Sequence, residues 1–393
     1  MKKHIVLISP HAAMVDCALY HNLIITIIDK VENAGNYVGL TGVQVFLYDF
    51  QDADLSKKLL SSINISQPIH AIVTLTEKSL RIAAELSAFF DLPGLAPNVI
   101  EIIHDKNEMR KFLCDKGNFS VKYCHPGNIK ELSVFAESAG YPIIVKPVDG
   151  YGSQNVKKIN SIDEFEEVDF SIELIGEEFL YGDEFSAECF SFKGKHLVAG
   201  ITRKILIESS DGKNFTEMGH CVPANLTDEV KNLIETYIGD FLTLIGVDNG
   251  PTHTEFKLEG NKISIIETHN RIGGDRISSL VKMSTGIDLV ELSMLWPLGL
   301  CSATDKVTYF THHAAIRFFN PPPGKLISIA GIERLKHSSN VIDIEIGCKS
   351  GDIIKPIEDS FNRYGFVITT GRSEEEAITN SIESAKKLKF LTV

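Results

Sequence analysis

Short apolar runs alternate with longer amphipathic stretches over the first hundred residues of this chain. Ile5–Ile8, Val43–Tyr48 and Ala71–Leu75 are runs of strand length, rich in apolar residues. Between them, Asp16–Lys30 and Lys78–Phe90 space their apolar positions near the 3.6-residue period, which predicts helices. Such alternation implies a parallel sheet. No Gly-x-Gly-x-x-Gly follows the first strand, so a dinucleotide site has no support there. The break Leu92-Pro-Gly-Leu-Ala-Pro97 closes this first unit.

Further along, Asp105–Cys114 reads as a helix leading into a β-rich stretch to about Glu188, with Ile143–Lys146, Phe179 and Phe185–Phe192 on strands. Ser209–Phe215, polar and Gly-bearing, predicts a mobile loop. Asp228–Leu244 predicts a long amphipathic helix, and Thr252–Leu258 with Lys262–Thr268 a hairpin about Glu-Gly-Asn. Pro321-Pro-Pro-Gly324 opens a last β-rich module that ends in a helix over Ser373–Leu388.

Composition adds little until charge is counted. A content of 44% hydrophobic and 23% charged residues is that of an ordinary globular protein. The net charge of −13 disfavours nucleic acid and anionic membrane surfaces as partners. It leaves room for a small anion in a local basic pocket. Seven scattered Cys form no Cys-x-x-Cys pair, which argues against a disulfide scaffold or thiolate zinc site and for a cytoplasmic location. The N-terminal apolar run ends at Pro10, too short for a signal peptide, and Leu23–Ile28 falls far below a membrane span. A homodimer is the commonest assembly for such a chain, although the pattern itself leaves the oligomeric state open.

Two constellations carry chemistry. In Tyr141-Pro-Ile-Ile-Val-Lys-Pro-Val-Asp-Gly-Tyr-Gly-Ser153, Lys146 closes an apolar strand and runs into a Gly-bearing loop. Gly150 and Gly152 permit close backbone approach to a polyanion, and Ser153 adds a hydroxyl donor. The plainer reading is a snorkelling edge Lys beside a hairpin turn. No Gly-Lys-Ser/Thr follows, so this is not a Walker loop, and the strand Lys precedes the glycines, unlike a protein kinase.

The second constellation is Thr252 to Asp275. If its hairpin turns about Asn261, Glu255 and Glu267 stand directly opposite, with β-carbons roughly 4.5–5.5 Å apart. Carboxylates so placed repel unless a cation lies between them, and Mg²⁺ suits such a pair. The alternative is a solvated hairpin face. Arg271, four residues beyond Glu267, is placed to clamp charge in phosphoryl transfer, or else forms an ordinary salt bridge.

Taken in order, Lys106, the Lys146 segment, Glu177-Glu-Phe-Leu-Tyr-Gly-Asp-Glu184, Glu255 and Glu267-x-x-x-Arg271 resemble the ATP-grasp superfamily. Within it the chain resembles carboxylate–amine ligases that include bacterial L-amino-acid ligases, the dipeptide synthetases. The resemblance implies an α/β protein: an ATP-grasp fold of two α+β lobes preceded by a Rossmann-like pre-ATP-grasp domain. The implied units are residues 1–96, a small lobe 97–184, a large lobe 185–310 and a C-terminal module 311–393. It implies an ADP-forming ligase that activates a small-molecule carboxylate as an acyl-phosphate and passes it to an amine.

By the same resemblance, Lys106 and Lys146 hold the ATP phosphates, and Glu177, Glu178 and Leu180 line adenine, largely through main chain. Glu184 faces the ribose, Glu255 and Glu267 bind Mg²⁺ (Mn²⁺ as an alternative), and Arg271 stabilises the transferring phosphoryl group. From their place before the expected loop, Arg203 and Lys204 either reach the γ-phosphate, with Lys204 counted as catalytic, or are simply solvated. His220 reaches the amino-acid substrate, Glu77 its amine, and Arg317 a substrate carboxylate. For His220 and Glu77 the plainer readings are a satisfied loop histidine and a carboxylate at a helix N-terminus. One departure stands out. The usual pattern is Glu-x-Asn-x-Arg, but His269 holds the middle position here, as a metal ligand or as a support for Glu267. Alternatives are a ligase using a carrier-protein thiol or a purine-pathway amine, a biotin-dependent carboxylase, and a nucleotide-binding regulator without turnover.

Overall fold

The structure is a computed structural model and describes residues 2–150, 152, 154–206, 216–301, 312–357 and 359–393. Its N-terminal unit comprises β1 (His4–Ile8), α1 (Ala12–Tyr20), β2 (Ile24–Asp29), β3 (Val43–Leu47), α2 (Ala53–Ser66), β4 (Ala71–Val73) and α3 (Leu80–Phe89). The four strands pair in parallel in the order β3-β2-β1-β4. The helix expected over Asp16–Lys30 is corrected. It stops at Tyr20, Asn22 turns the chain at φ 54, and the rest is β2. Ile24-Ile-Thr-Ile-Ile28 is wholly β-branched, stiff in a helix, and suited to a buried central strand.

Next come α4 (Pro97–His104), α5 (Lys106–Lys116), β5 (Tyr123–Cys124), α6 (Ile129–Ala139), β6 (Ile143–Pro147), β7 (Lys157–Ile159) and β8 (Leu174–Glu178). These strands form a four-stranded antiparallel sheet, β5-β8-β6-β7. The stretch expected to be β-rich is interrupted by α6. Asn128 starts that helix by accepting from the Glu131 amide, and Leu132 and Ala136 bury its inner face on Ile143 and Val145. Asp105 caps α5 in the same way, which sets Lys106 at its first turn.

The remainder is β9 (Asp183–Phe192), β10 (Lys195–Leu206), β11 (Glu217–Val222), α7 (Asp228–Ile245), β12 (Gly250–Glu259), β13 (Lys262–His269), α8 (Ile277–Thr285) and α9 (Leu289–Leu295). The C-terminal part adds β14 (His313–Phe318), β15 (Gly324–Ala330), α10 (Ile332–Lys336), β16 (Val341–Ile346), β17 (Ile353–Ile354), β18 (Gly365–Gly371), α11 (Glu374–Lys387) and β19 (Lys389–Thr392). The last element is therefore a strand, β19, rather than the expected helix. One antiparallel sheet, β13-β12-β9-β10-β11-β14-β18-β16, takes strands from both parts. Its back face packs Phe185, Phe256 and Ile265 on α4, α5 and α7 through Ile100, Leu113 and Phe241. Farther along, the front face packs Val222 and Ile316 under α8, leaving the polar ends of β9, β12 and β13 over a cleft against the small sheet. A parallel unit followed by two α+β lobes is the arrangement the resemblance implies. Among the described residues no helix is long and apolar enough to cross a membrane.

Gly182 joins the lobes between β8 and β9 at φ 98, where an added Cβ would lie 2.2 Å from the Leu258 carbonyl oxygen. Neither strand can withdraw without breaking sheet pairing. Gly182→Ala is expected to destabilise the protein by about 2 kcal/mol or more, read as a lower denaturation midpoint.

Candidate active site

The β12–β13 hairpin turns at Gly260-Asn261, half a residue before the expected centre at Asn261, and would set Glu255 opposite Ile266; a register shift between Glu255 and Phe256 restores the expected pairing of Glu255 with Glu267. Both carboxylates line a cleft of about 790 Å³, solvent mouth included, together with Lys106, Lys146, Gly150, Glu177, Leu180 and Glu184. Each is compensated by an ammonium. Lys204 Nζ lies 2.5 Å from Glu255, and Lys106 Nζ lies 3.0 Å from Glu267. Burial alone would raise both carboxyls. The lysines, joined by His253 and His269, outweigh it and hold both well below the usual carboxylate range.

Lys204 sits among three acids, 3.5 Å from Glu184, 3.0 Å from Glu217 and 2.5 Å from Glu255. The ligand atoms of those acids lie within 4.8 Å of one another, a grouping able to hold a metal ion. Burial would lower the lysine, but Glu255, Glu217 and Glu184 together raise it well above its ordinary value. Lys204 is thus a fixed, buried cation among these three acids. Its neighbour Arg203 points through the sheet to Glu374 of α11 and to Asp183, so the expectation that it reaches a γ-phosphate is corrected. Adjacent strand residues face opposite sides.

At the other end, Glu177 on β8 accepts from Arg110 Nε at 2.6 Å and pairs with Lys146 Nζ at 2.7 Å. Arg110, fully buried one turn beyond Lys106, also donates to the Ile265 and Ile266 carbonyls of β13. One guanidinium therefore ties the small sheet, α5 and the β12–β13 hairpin together. Lys106 donates further to the Gly150 carbonyl, and Gly152 meets Phe361, whose ring lies 2.6 Å from where a Cβ would stand. Ser153 and the expected loop Ser209–Phe215 lie outside the described residues. Glu178 accepts from the Lys122 amide, and Lys257 Nζ lies 3.1 Å from Glu184.

Behind the carboxylates runs a row of imidazoles. His253 and His269 are register partners whose rings stack at 6.4 Å. His253 links Glu188, at 2.9 Å, to Glu255, at 3.0 Å. Burial disfavours its charge, but Glu188 and Glu255 raise it to about 9. His269 Nε2 is 3.1 Å from Glu267, and its Nδ1 is 3.0 Å from Glu77, outside hydrogen-bond geometry. With both ring nitrogens facing carboxylates, His269 is placed as a support for Glu267 rather than as a metal ligand. Glu77 also accepts from Arg271 Nε at 2.5 Å; burial would raise its carboxyl, but His269 and Arg271 lower it to about 2. It thus faces Arg271 and His269 rather than standing free for a substrate amine.

His220 lies on β11, not in a loop, and contacts Asp275 at 3.0 Å. Arg317 is not brought to this site. On β14 it is Ile316 that pairs with His220, so Arg317 falls on the opposite face with Ala315, which packs with Cys221 and Ala377 of α11. Arg110, Glu188, Glu217, His253, Asp275 and Arg363 went unnoticed in sequence. Only His253 carries a readable signal, because it stands opposite His269 in the register that pairs Glu255 with Glu267.

The donor set fits a divalent cation: two opposed hard carboxylates, already ionised and backed by fixed partners. The family model of an ATP-grasp domain matches residues 168–279, and that of L-amino acid ligase C-terminal domain 2 matches residues 317–393. An L-arginine-specific L-amino acid ligase of Bacillus subtilis is 22% identical over 333 residues, covering 79% of this chain and 78% of that protein. An uncharacterized protein of Sinorhizobium fredii is 25% identical over 357 residues, covering 88% of this chain and 73% of that protein. Among solved structures, an L-amino acid ligase from Bacillus licheniformis superposes with a TM-score of 0.84 at 24% identity, covering 100% and 99% of the two chains.

Proposed function

We propose that the chain, which matches an ATP-grasp domain and the C-terminal domain of the L-amino acid ligases, is an ADP-forming ligase that joins two amino acids or amino-acid-like molecules. The observation that carries this reading is the opposed pair Glu255 and Glu267 in a cleft that Lys106 and Lys146 also line, with Arg271 four residues beyond Glu267 in sequence. ATP-grasp enzymes use ATP with divalent metal ions. Here Glu255 and Glu267 would hold Mg²⁺, which neutralises charge on the phosphates when bound. Lys106 and Lys146 cradle the phosphates, while the main chain from Glu177 to Leu180 and Glu184 take the nucleoside. Arg271 stabilises the phosphoryl group as it passes to a substrate carboxylate. An amine then attacks the acyl-phosphate, giving an amide, ADP and phosphate. No covalent enzyme nucleophile is needed, so positioning and electrostatics carry the rate. With all seven cysteines free, a reducing cytoplasm suits the chain.

Screening pairs of L-amino acids for ATP-dependent phosphate release tests the reading. At least one pair is expected to raise release well above either amino acid alone. Release triggered only by a carrier-protein thiol or a nucleotide precursor would overturn the amino-acid assignment and leave the ATP-grasp fold untouched.

A further inference from the structure

His220 pairs across the sheet with Lys204 and Ile316, so it shares the face that carries Lys204 and Glu255. It is 1% exposed. Its Nε2 lies 3.0 Å from Asp275 Oδ2, while its buried Nδ1 has no hydrogen-bond partner among the described residues. Asp275 is itself clamped: Arg363 donates to its two oxygens at 2.8 and 2.5 Å. Burial would raise that carboxyl, but His220 and Arg363 hold it below the usual carboxylate range. An ionised carboxylate only accepts, so Nε2 carries the hydrogen and a neutral ring leaves Nδ1 with a lone pair.

Three independent features hold this group in place. Arg363 stands 3.7 Å over the Phe318 ring and donates to the Glu217 carbonyl at 3.2 Å. Asp275 and Arg276 adopt left-handed backbone at φ 54 and 64, a strain that persists only where the surroundings enforce it. A Cβ on Gly273 would meet Glu188 Oε2 and His253 Nδ1, each at 2.9 Å, so the loop after Arg271 is pressed onto the imidazole row behind Glu255. An imidazole with one nitrogen tied to an oriented carboxylate and the other free is the arrangement of a general base.

We propose that His220 is the general base for the acceptor amine, with Asp275 and Arg363 as positioning residues. The proposal rests on the ligase reading above. Near neutral pH an α-amino group is largely an ammonium ion without a lone pair to attack. His220 Nδ1 takes one proton, and the freed nitrogen pair forms the bond to the acyl-phosphate carbon. The carbon–oxygen bond to phosphate breaks, and the second amine proton leaves with the phosphate. The charged groups facing His220 are Asp275, Arg363 and, across the strand pair, Lys204. The C-terminal domain thereby enters the chemistry, because it supplies Arg363.

Hydroxylamine separates this role from a structural one. It is neutral at pH 7.5, needs no deprotonation before attack, and traps acyl-phosphates as hydroxamates. His220→Ala is expected to cut amino-acid-acceptor turnover by about 10²–10⁴-fold, the range general base catalysis supplies. Hydroxamate formation from the same carboxylate is expected to fall far less, so that the ratio of the two rates shifts by most of that factor. Asp275→Asn, which keeps an acceptor oxygen for Nε2–H but drops the charge, is expected to show the same selective loss at smaller size, and it decides the matter should His220→Ala fail to fold. Equal losses with both acceptors, or no loss with either, would overturn the proposal. Wild-type protein that forms no hydroxamate with any L-amino acid would instead overturn the ligase reading beneath it.

Discussion

Glu267→Gln will abolish amine-dependent ADP release while nucleotide binding survives. The carboxylate stands opposite Glu255, pairs with Lys106 and is supported by His269. Glutamine keeps the shape: its carbonyl oxygen accepts from Lys106 in place of Oε2, and its NH2 takes the place of Oε1 beside His269 Nε2, which accepts in the other tautomer. It removes one of the two charges that would hold Mg²⁺. The cleft becomes more positive, so the phosphates are still attracted by Lys106 and Lys146. Catalysis suffers because nothing then aligns and neutralises the transferring phosphoryl group, a contribution worth about 10³-fold or more. A coupled ADP assay beside fluorescent-nucleotide binding reads the two effects separately. Near-normal turnover would remove Glu267 from the metal site.

What the sequence reveals and what it hides divide along a physical line. The hairpin was legible because a tight Glu-Gly-Asn turn leaves a strand pair little freedom, but the irregularity between Glu255 and Phe256 that brings Glu255 opposite Glu267 had no signal in the spacing. Lys106 and Lys146 were legible through an ordered set of motifs. Strand parity was not: a one-residue shift carries a side chain to the other face, and nothing local told that Ile316, not Arg317, faces His220. Nor could spacing distinguish helix from strand over Ile24–Asp29, a short run apolar enough to satisfy either period. Partners that meet only in the fold stay hidden as well. Arg110 reaches Glu177 and Ile265 over separations of 67 and 155 residues. The net charge of −13 also reads differently now, since six of the acids, Glu77, Glu177, Glu184, Glu217, Glu255 and Glu267, surround internal cations.

Glu177 supplies the largest expected effect on stability. It is 4% exposed and stands between Arg110, which is fully buried, and Lys146, which is 6% exposed. Burial would raise its carboxyl, but Arg110 and Lys146 outweigh burial and bring it from an ordinary 4.5 to about 2. Removing one member of a buried ion group strands the others, so Glu177→Gln is expected to cost about 3–5 kcal/mol at pH 7. The pH dependence has a fixed sign. Between pH 4.5 and 2 the unfolded chain protonates this group while the folded chain does not, so folding loses stability as pH falls. The contribution is whole above that window, amounts to about 3 kcal/mol, and is gone below it. Urea midpoints for wild type and Glu177→Gln are therefore expected to differ most at pH 5–7 and to converge as the acid is titrated. Glu178→Gln on the adjacent, more open position is the control and is expected to shift stability by about 0.5 kcal/mol or less. A gap between wild type and Glu177→Gln that stayed constant down to pH 3 would mean that the carboxylate is not ionised between its two cations.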